Sequence, residues 1–237
     1  MNTILEKFSI NKAENRATET RPGFISQQSF NFAGHYIKSR DGFGKLIIFN
    51  DDTVNDGVGI PMHPHENFEI LSVILSGEME HKDNLGNNIT VHTNEVKLMS
   101  AGSGLMHGGI CYSHTNFLQI WVKPTILNTT PLITVKYFSP ENRNNKWQLQ
   151  VSPDENDNVL TIKQAMRAYR GVFNASQQVE FNLPGKHKLF LMPLNGSITL
   201  NNKTISARDS AEFEMTNNFS FQVLEELDVW LMIESIN

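Results

Sequence analysis

The sequence predicts an all-β protein built from two tandem β domains, and three observations carry that prediction. Short runs rich in β-branched, aromatic and aliphatic residues recur at close spacing, turn residues separate them, and one strand–turn–strand pattern occurs twice. In the first half the runs fall at 45–49, 69–75, 96–99, 117–122 and 132–138; in the second they fall at 189–192, 197–200, 219–223 and 229–233. The intervening turns are 84–88, Asn195-Gly196 and Asn201-Asn202, residue types that tolerate tight backbone reversals. Residues 162–169 fit either a short helix or a strand.

The repeat sets the domain expectation. Residues 70–80 and 190–200 both read as a strand, a glycine turn and a returning strand, and aligning Gly77 with Gly196 gives an offset of 119 residues, almost half of the 237. The expected domains are 1–138 and 146–237, joined by the polar, proline-containing segment Ser139-Pro140-Glu141-Asn142-Arg143-Asn144-Asn145.

Composition narrows the function classes. Hydrophobic residues make up 39% and charged residues 19%, as expected of a chain that buries a core. Lys and Arg total 20 against 25 for Asp and Glu, a formal charge of −5, and no basic run is present. Direct nucleic-acid binding is therefore not expected, because phosphate recognition needs clustered cations. No apolar stretch approaches the roughly 20 residues that cross a bilayer, and an acid at Glu6 stands where a secretory leader would be apolar. The expectation is a cytoplasmic protein without membrane association. One cysteine, Cys111, excludes an internal disulfide and a thiolate zinc cluster and fits a reducing compartment.

The chemistry concentrates in His63-Pro64-His65-Glu66-Asn67-Phe68-Glu69. Residues two apart in an extended chain point to one side, so His63 and His65 present both imidazoles on one face. Glu69, four residues beyond His65, shares that face if the strand continues. His107 follows the glycine-rich Ala101-Gly102-Ser103-Gly104, where the backbone can approach closely. Three imidazoles, with water or a carboxylate completing the shell, suit Fe(II), Cu(II), Ni(II) or Zn(II). His35, His81, His92, His114 and His187 read as surface or hydrogen-bonded residues. Cys111 reads as a small buried residue, Phe68, Phe117 and Trp121 as strand core, and Asp51-Asp52 as a turn. No nucleophile elbow, phosphate-cradling loop or dinucleotide fingerprint is present.

These residues resemble a known family. His63-x-His65-x3-Glu69 with Gly77, and Gly104-x2-His107, are similar to the two cupin motifs. The block Glu80-His81-Lys82-Asp83-Asn84-Leu85-Gly86-Asn87, together with Met99-Ser100-Ala101-Gly102-Ser103-Gly104 and Gln119-Ile120-Trp121-Val122-Lys123-Pro124, resembles the pirin family. Leu149 to Asp154 and Tyr169-Arg170 resemble its bacterial quercetin 2,3-dioxygenase type. The resemblance covers nearly the whole chain. It implies a bicupin of two jelly-roll β-barrels with one metal, in the N-terminal barrel, held by His63, His65 and His107.

The family's fourth ligand, a glutamate, maps to Gly109, which has no side chain to offer; Glu69 or water is then expected to complete the shell. At the 119-residue offset His63, His65 and Glu69 correspond to Asn182, Pro184 and Lys188, so the second barrel is expected to be metal-free. The function implied is a metal-dependent oxygenase. It would use Fe(II) first, with Zn, Ni, Cu, Co or Mn as alternatives, and open a flavonol-like aromatic substrate with O2. The alternative is a non-catalytic metal-binding or redox-sensing protein that acts through a protein partner.

Overall fold

The structure is a computed structural model and describes residues 5–156 and 158–236. Its strands, in chain order, begin with β1 (Glu6–Asn11), β2 (Ala17–Arg21), β3 (Phe24–Gln28), β4 (Leu46–Val54), β5 (Gly59–His65) and β6 (Glu69–Asp83). They continue with β7 (Asn88–His92), β8 (Glu95–Ser100), β9 (Leu105–Val122), β10 (Leu132–Tyr137), β11 (Lys146–Ser152) and β12 (Leu160–Thr161). The last six are β13 (Met166–Phe173), β14 (Gln178–Asn195), β15 (Ile198–Leu200), β16 (Lys203–Ile205), β17 (Ser210–Val223) and β18 (Leu227–Ile236). Among the described residues the helical content is two 3-10 turns, Ala13–Asn15 and Pro140–Arg143. The segment at 162–169, open between helix and strand, resolves into a loop leading into β13.

Two compact units are present, and they exchange ends relative to a single cut in the chain. The first holds Ala17–Phe138 with Asp154–Gln164; the second holds the described residues up to Arg16, then Ser139–Pro153 and the rest from Ala165. Thus β1 pairs with β17, a C-terminal strand, through Ser9↔Glu212, Ile10↔Ala211 and Asn11↔Ser210. Sequence periodicity is blind to such an exchange, because a strand's pattern does not name its sheet.

In the first unit the sheet order is β10-β8-β6-β9-β4-β3-β2, with β5 on β9 and β7 on β6. Phe24, Val54, Ile74, Val91 and Phe117 pack one part of its core; Ile70, Met99 and Leu105 pack another against Phe68 and Trp121. In the second unit the order from β11 is β11-β13-β18-β14-β17-β15-β16. Its core is aromatic: Phe181 stacks on Phe219 at 5.6 Å, and Trp147 meets Phe173 and Phe181 edge-on.

The sequence repeat has a physical basis. Gly77 (φ 77°) and Gly196 (φ 75°) both adopt the left-handed region. A Cβ on Gly77 would lie 2.7 Å from Thr115 Cα, and one on Gly196 2.2 Å from the Glu226 carbonyl, so each turn needs glycine twice over. Asp51 and Asp52, expected in a turn, instead lie within β4 and are buried. The Asn116 amide donates to Asp51 at 2.8 Å, which lets a strand carry this polar pair inside. Burial pushes the Asp52 carboxyl up to about 7, with the neighbouring Asp51 adding to it.

Candidate metal centre

The three histidines meet because of strand register. His63 and His65 alternate onto one face of β5, and His63 lies directly opposite His107 in the antiparallel β5–β9 pair, with His65 opposite Leu105. Their ring centroids are 4.4 to 5.1 Å apart, and one nitrogen from each falls within 4.8 Å of the other two. β5 carries Pro61 and Pro64, which donate no ladder hydrogen bond. It tolerates them because, among the described strands, it pairs with β9 alone. The register slips between Ile60 and His63, and Pro61 O accepts from His63 Nδ1 at 2.8 Å. That bond fixes the tautomer and leaves Nε2 of His63 as a lone-pair donor.

The other two rings are held neutral. Burial, then the neighbouring His63 and Lys97, push His65 down to about 4; burial and Lys97, with the other histidines, push His107 down to about 2. Nε2 of His65 and of His107 are buried without a hydrogen-bond partner. A buried nitrogen left unpaired is costly unless something else takes its lone pair, and two of them converging beside a third imidazole fit a divalent ion.

Glu69 stands apart. The strand phase is broken between His65 and Glu69, where Asn67 takes φ 54°, so counting by twos from His65 fails. Alternation along β6 sets Glu69 on the face opposite Ile70 and Ser72, and its carboxylate is not in the three-histidine group. Oε2 accepts from the Ser100 hydroxyl at 2.9 Å and from the Lys163 backbone N–H at 3.3 Å.

Gly109 is fixed by packing. A Cβ there would lie 1.9 Å from the Glu80 carbonyl oxygen, so the backbone of β6 fills the space that a side chain would need. The pairings Lys82↔Gly108 and Met79↔Cys111 put His81 across from Gly109. Of the two settings expected for His81, surface or hydrogen-bonded, the structure shows the second: it is fully buried, and its ring stacks on His107 at 5.2 Å. Its Nε2–H donates to Asp83 at 3.0 Å and its Nδ1 accepts from Lys97 Nζ at 3.3 Å. Burial works against ionising Asp83, but hydrogen bonds from Asn87, His81 and the Leu85 backbone outweigh it and hold the carboxyl below its usual range.

Lys97 adds a buried cation to the site that no sequence motif marks. It lies on β8, 2% exposed, and burial lowers its ammonium to about 8, which leaves it cationic at pH 7. Its signal in the sequence is a lysine inside the apolar run Val96-Lys97-Leu98-Met99. Together with His63, His107, Ser72, Gln119 and Cys111 it lines a cavity that opens to solvent. Burial raises the Cys111 thiol to about 11, so it contributes no charge there.

Comparison with known proteins decides the family. The Pirin family model matches residues 11–122, and the model for the quercetinase C-terminal cupin domain matches 149–234. The chain belongs to the pirin family. It is 32% identical over 203 residues to the quercetin 2,3-dioxygenase of Escherichia coli K12, which covers 84% of this chain and 87% of that protein. It is 30% identical to a putative quercetin 2,3-dioxygenase of Pseudomonas aeruginosa, over 87% of this chain and 90% of that one. Among solved structures, a bacterial pirin from Escherichia coli in complex with nickel(II) superposes with a TM-score of 0.91 at 28% identity, covering 97% of this chain and all of the other. As in that family, this chain is a bicupin; the three-histidine cluster lies in the part matched by the Pirin model.

Proposed function

We propose that this chain is a metal-dependent oxygenase of the pirin type. In this reading His63, His65 and His107 hold one divalent ion, iron(II) in first place, and the substrates are O2 and a flavonol-like enol. A cytoplasmic setting belongs to the same reading. The observation that carries it is the convergence of three imidazoles, two of them with buried, unpartnered Nε2 atoms, in a member of this family. A divalent ion there would supply Lewis-acid polarisation and a fixed orientation for oxygen-bearing reactants.

The chain's own residues prepare that site. Trp121 packs edge-on against His65 at 4.6 Å and steadies its ring. Ile60, Met79 and Phe117 keep the cavity wall apolar and limit water. Ser72 donates to Gln119 Oε1 at 2.9 Å, which orients the Gln119 amide with its N–H donors available to a substrate oxygen. Proton removal from an enol is the step this chain leaves unserved: Gly109 offers no carboxylate, and Glu69 is bonded to Ser100 and Lys163. A substrate that arrives already ionised fits this site best.

The test is metal content of protein prepared without chelator, for wild type and His63→Ala, followed by oxygen uptake with flavonols. Near-stoichiometric metal lost in the variant, with flavonol-dependent uptake by wild type, is expected; absence of metal after anaerobic reconstitution would refute the reading. The lack of a carboxylate at position 109 favours one second reading, a metal-binding or redox-sensing protein that acts through a protein partner. Metal retained without any uptake would select it.

A further inference from the structure

The cavity beside the three histidines holds a buried cation whose hydrogen-bonding capacity is mostly unspent. The Lys97 ammonium carries three donors, and among the described residues its one hydrogen-bond partner is His81 Nδ1 at 3.3 Å. His81 passes this contact to Asp83, but no carboxylate reaches the ammonium directly. The buried Asp52, near the lining residue Cys111, has its carboxyl disfavoured as an anion by burial, and the other acids near the cavity are committed elsewhere. The Glu80 carboxylate pairs with Lys82 at 2.8 Å and accepts from the Tyr112 hydroxyl, and Glu69 lies outside the group. Cys111 is a neutral thiol, and the three imidazoles are uncharged ligands. A divalent ion held by them would therefore sit beside a buried ammonium, with a single carboxylate one hydrogen bond removed to offset three positive charges.

Such an excess of buried positive charge is costly unless an anion joins it. The family's glutamate cannot be that anion, because the Glu80 backbone occupies the room a side chain at 109 would need. We propose that Lys97 and the three-histidine centre together form a subsite for an anionic oxygen of the substrate itself, an ionised enol or a carboxylate. In this subsite the Lys97 ammonium donates to the oxygen, and the ligand brings the negative charge that the polypeptide lacks. This rests on the metal-centre reading above and adds a substrate class to it: acidic enols and carboxylic acids are accepted, and neutral isosteres are not.

The test uses Co(II)-loaded protein, whose visible absorption reports changes at the ion independently of turnover. Acetate, tropolone as a small ionised enol, and acetamide as a neutral isostere are titrated into wild type, Lys97→Met and Lys97→Gln. Saturable spectral change with acetate or tropolone, none with acetamide, and affinity at least about tenfold weaker in a Lys97 variant that still binds one Co(II), is the expected result. Binding of acetate identifies carboxylic acids, and binding of tropolone alone identifies acidic enols. If neither variant keeps cobalt, the wild-type contrast between anion and amide decides. Equal binding of acetamide, or undiminished anion binding in the Lys97 variants, overturns the proposal while leaving the metal centre standing. Failure of wild type to bind cobalt removes the metal centre, and the subsite falls with it.

Discussion

Gly109→Ala tests whether the missing carboxylate is an isolated loss or part of the packing. The added methyl carbon would sit 1.9 Å from the Glu80 carbonyl oxygen and 2.7 Å from its carbon, against an ordinary contact of about 3.4 Å or more. Strands β6 and β9 would have to part by over an ångström at the point where His81 lies across from residue 109, between the pairs Met79↔Cys111 and Lys82↔Gly108. Neither neighbour is a flexible side-chain end that can swing away, so the strain falls on the ladder. Overpacking of this kind costs about 2–3 kcal/mol, equivalent to a melting point lowered by about 4–12 °C in a chain of this size. Thermal unfolding of wild type and variant side by side measures it. A variant that melts within about 1 °C of wild type would show that the two strands do not meet so closely, and would reopen position 109 as a place for a ligand.

Three further outcomes are expected. Nickel(II) at about a hundredfold its dissociation constant should stabilise wild type by about 2.7 kcal/mol, a rise of about 5–11 °C, and an equal rise in His107→Ala would refute that ligand. Asp52 has a folded-state carboxyl raised from 3.8 to about 7, so its contribution is fully present below pH 4 and is lost as pH rises through 7. Wild type should lose on the order of 3 kcal/mol more than Asp52→Asn between pH 5 and pH 8, read by urea unfolding at both pH values, and parallel curves would exclude it. Asp228 accepts from Arg170 Nε at 2.9 Å and Nη2 at 2.6 Å, and the Arg170 side chain is 8% exposed. Asp228→Ala should cost about 2–4 kcal/mol by leaving that guanidinium buried and unpaired, and a loss under about 1 kcal/mol in urea unfolding would contradict it.

The fold class was legible because strand chemistry is local. Runs such as 69–75 and 229–233 need no partner to be recognised, and Gly77 and Gly196 mark the same crowded turn in each half. His63, His65 and His107 were legible for a related reason: alternation on β5 brings two imidazoles to one side, and a glycine-rich approach delivers the third. What the sequence concealed depends on pairing. The strand run legible in the sequence begins at 117, whereas β9 begins at Leu105; its first half is strand because Gly108 and Gly109 allow β5 and β6 to close on it. Lys97 and His81 entered the site from β8 and β6, and nothing local to either announces that they face His107. Glu69 looked aligned with His65 only while the intervening Asn67 was assumed to be extended.

The prolines of β5 reach beyond ligand geometry. A free sheet margin that bears His63 and His65, flanked by Met62 at 50% and Met106 at 42% exposure, is the sort of edge along which two molecules would stick when metal is scarce. Pro61 and Pro64 withhold the N–H groups that a second strand would need to dock there. The same residues that shape the ligand strand thus guard the metal-free protein against self-association, so metal starvation should leave it soluble and ready to be reloaded.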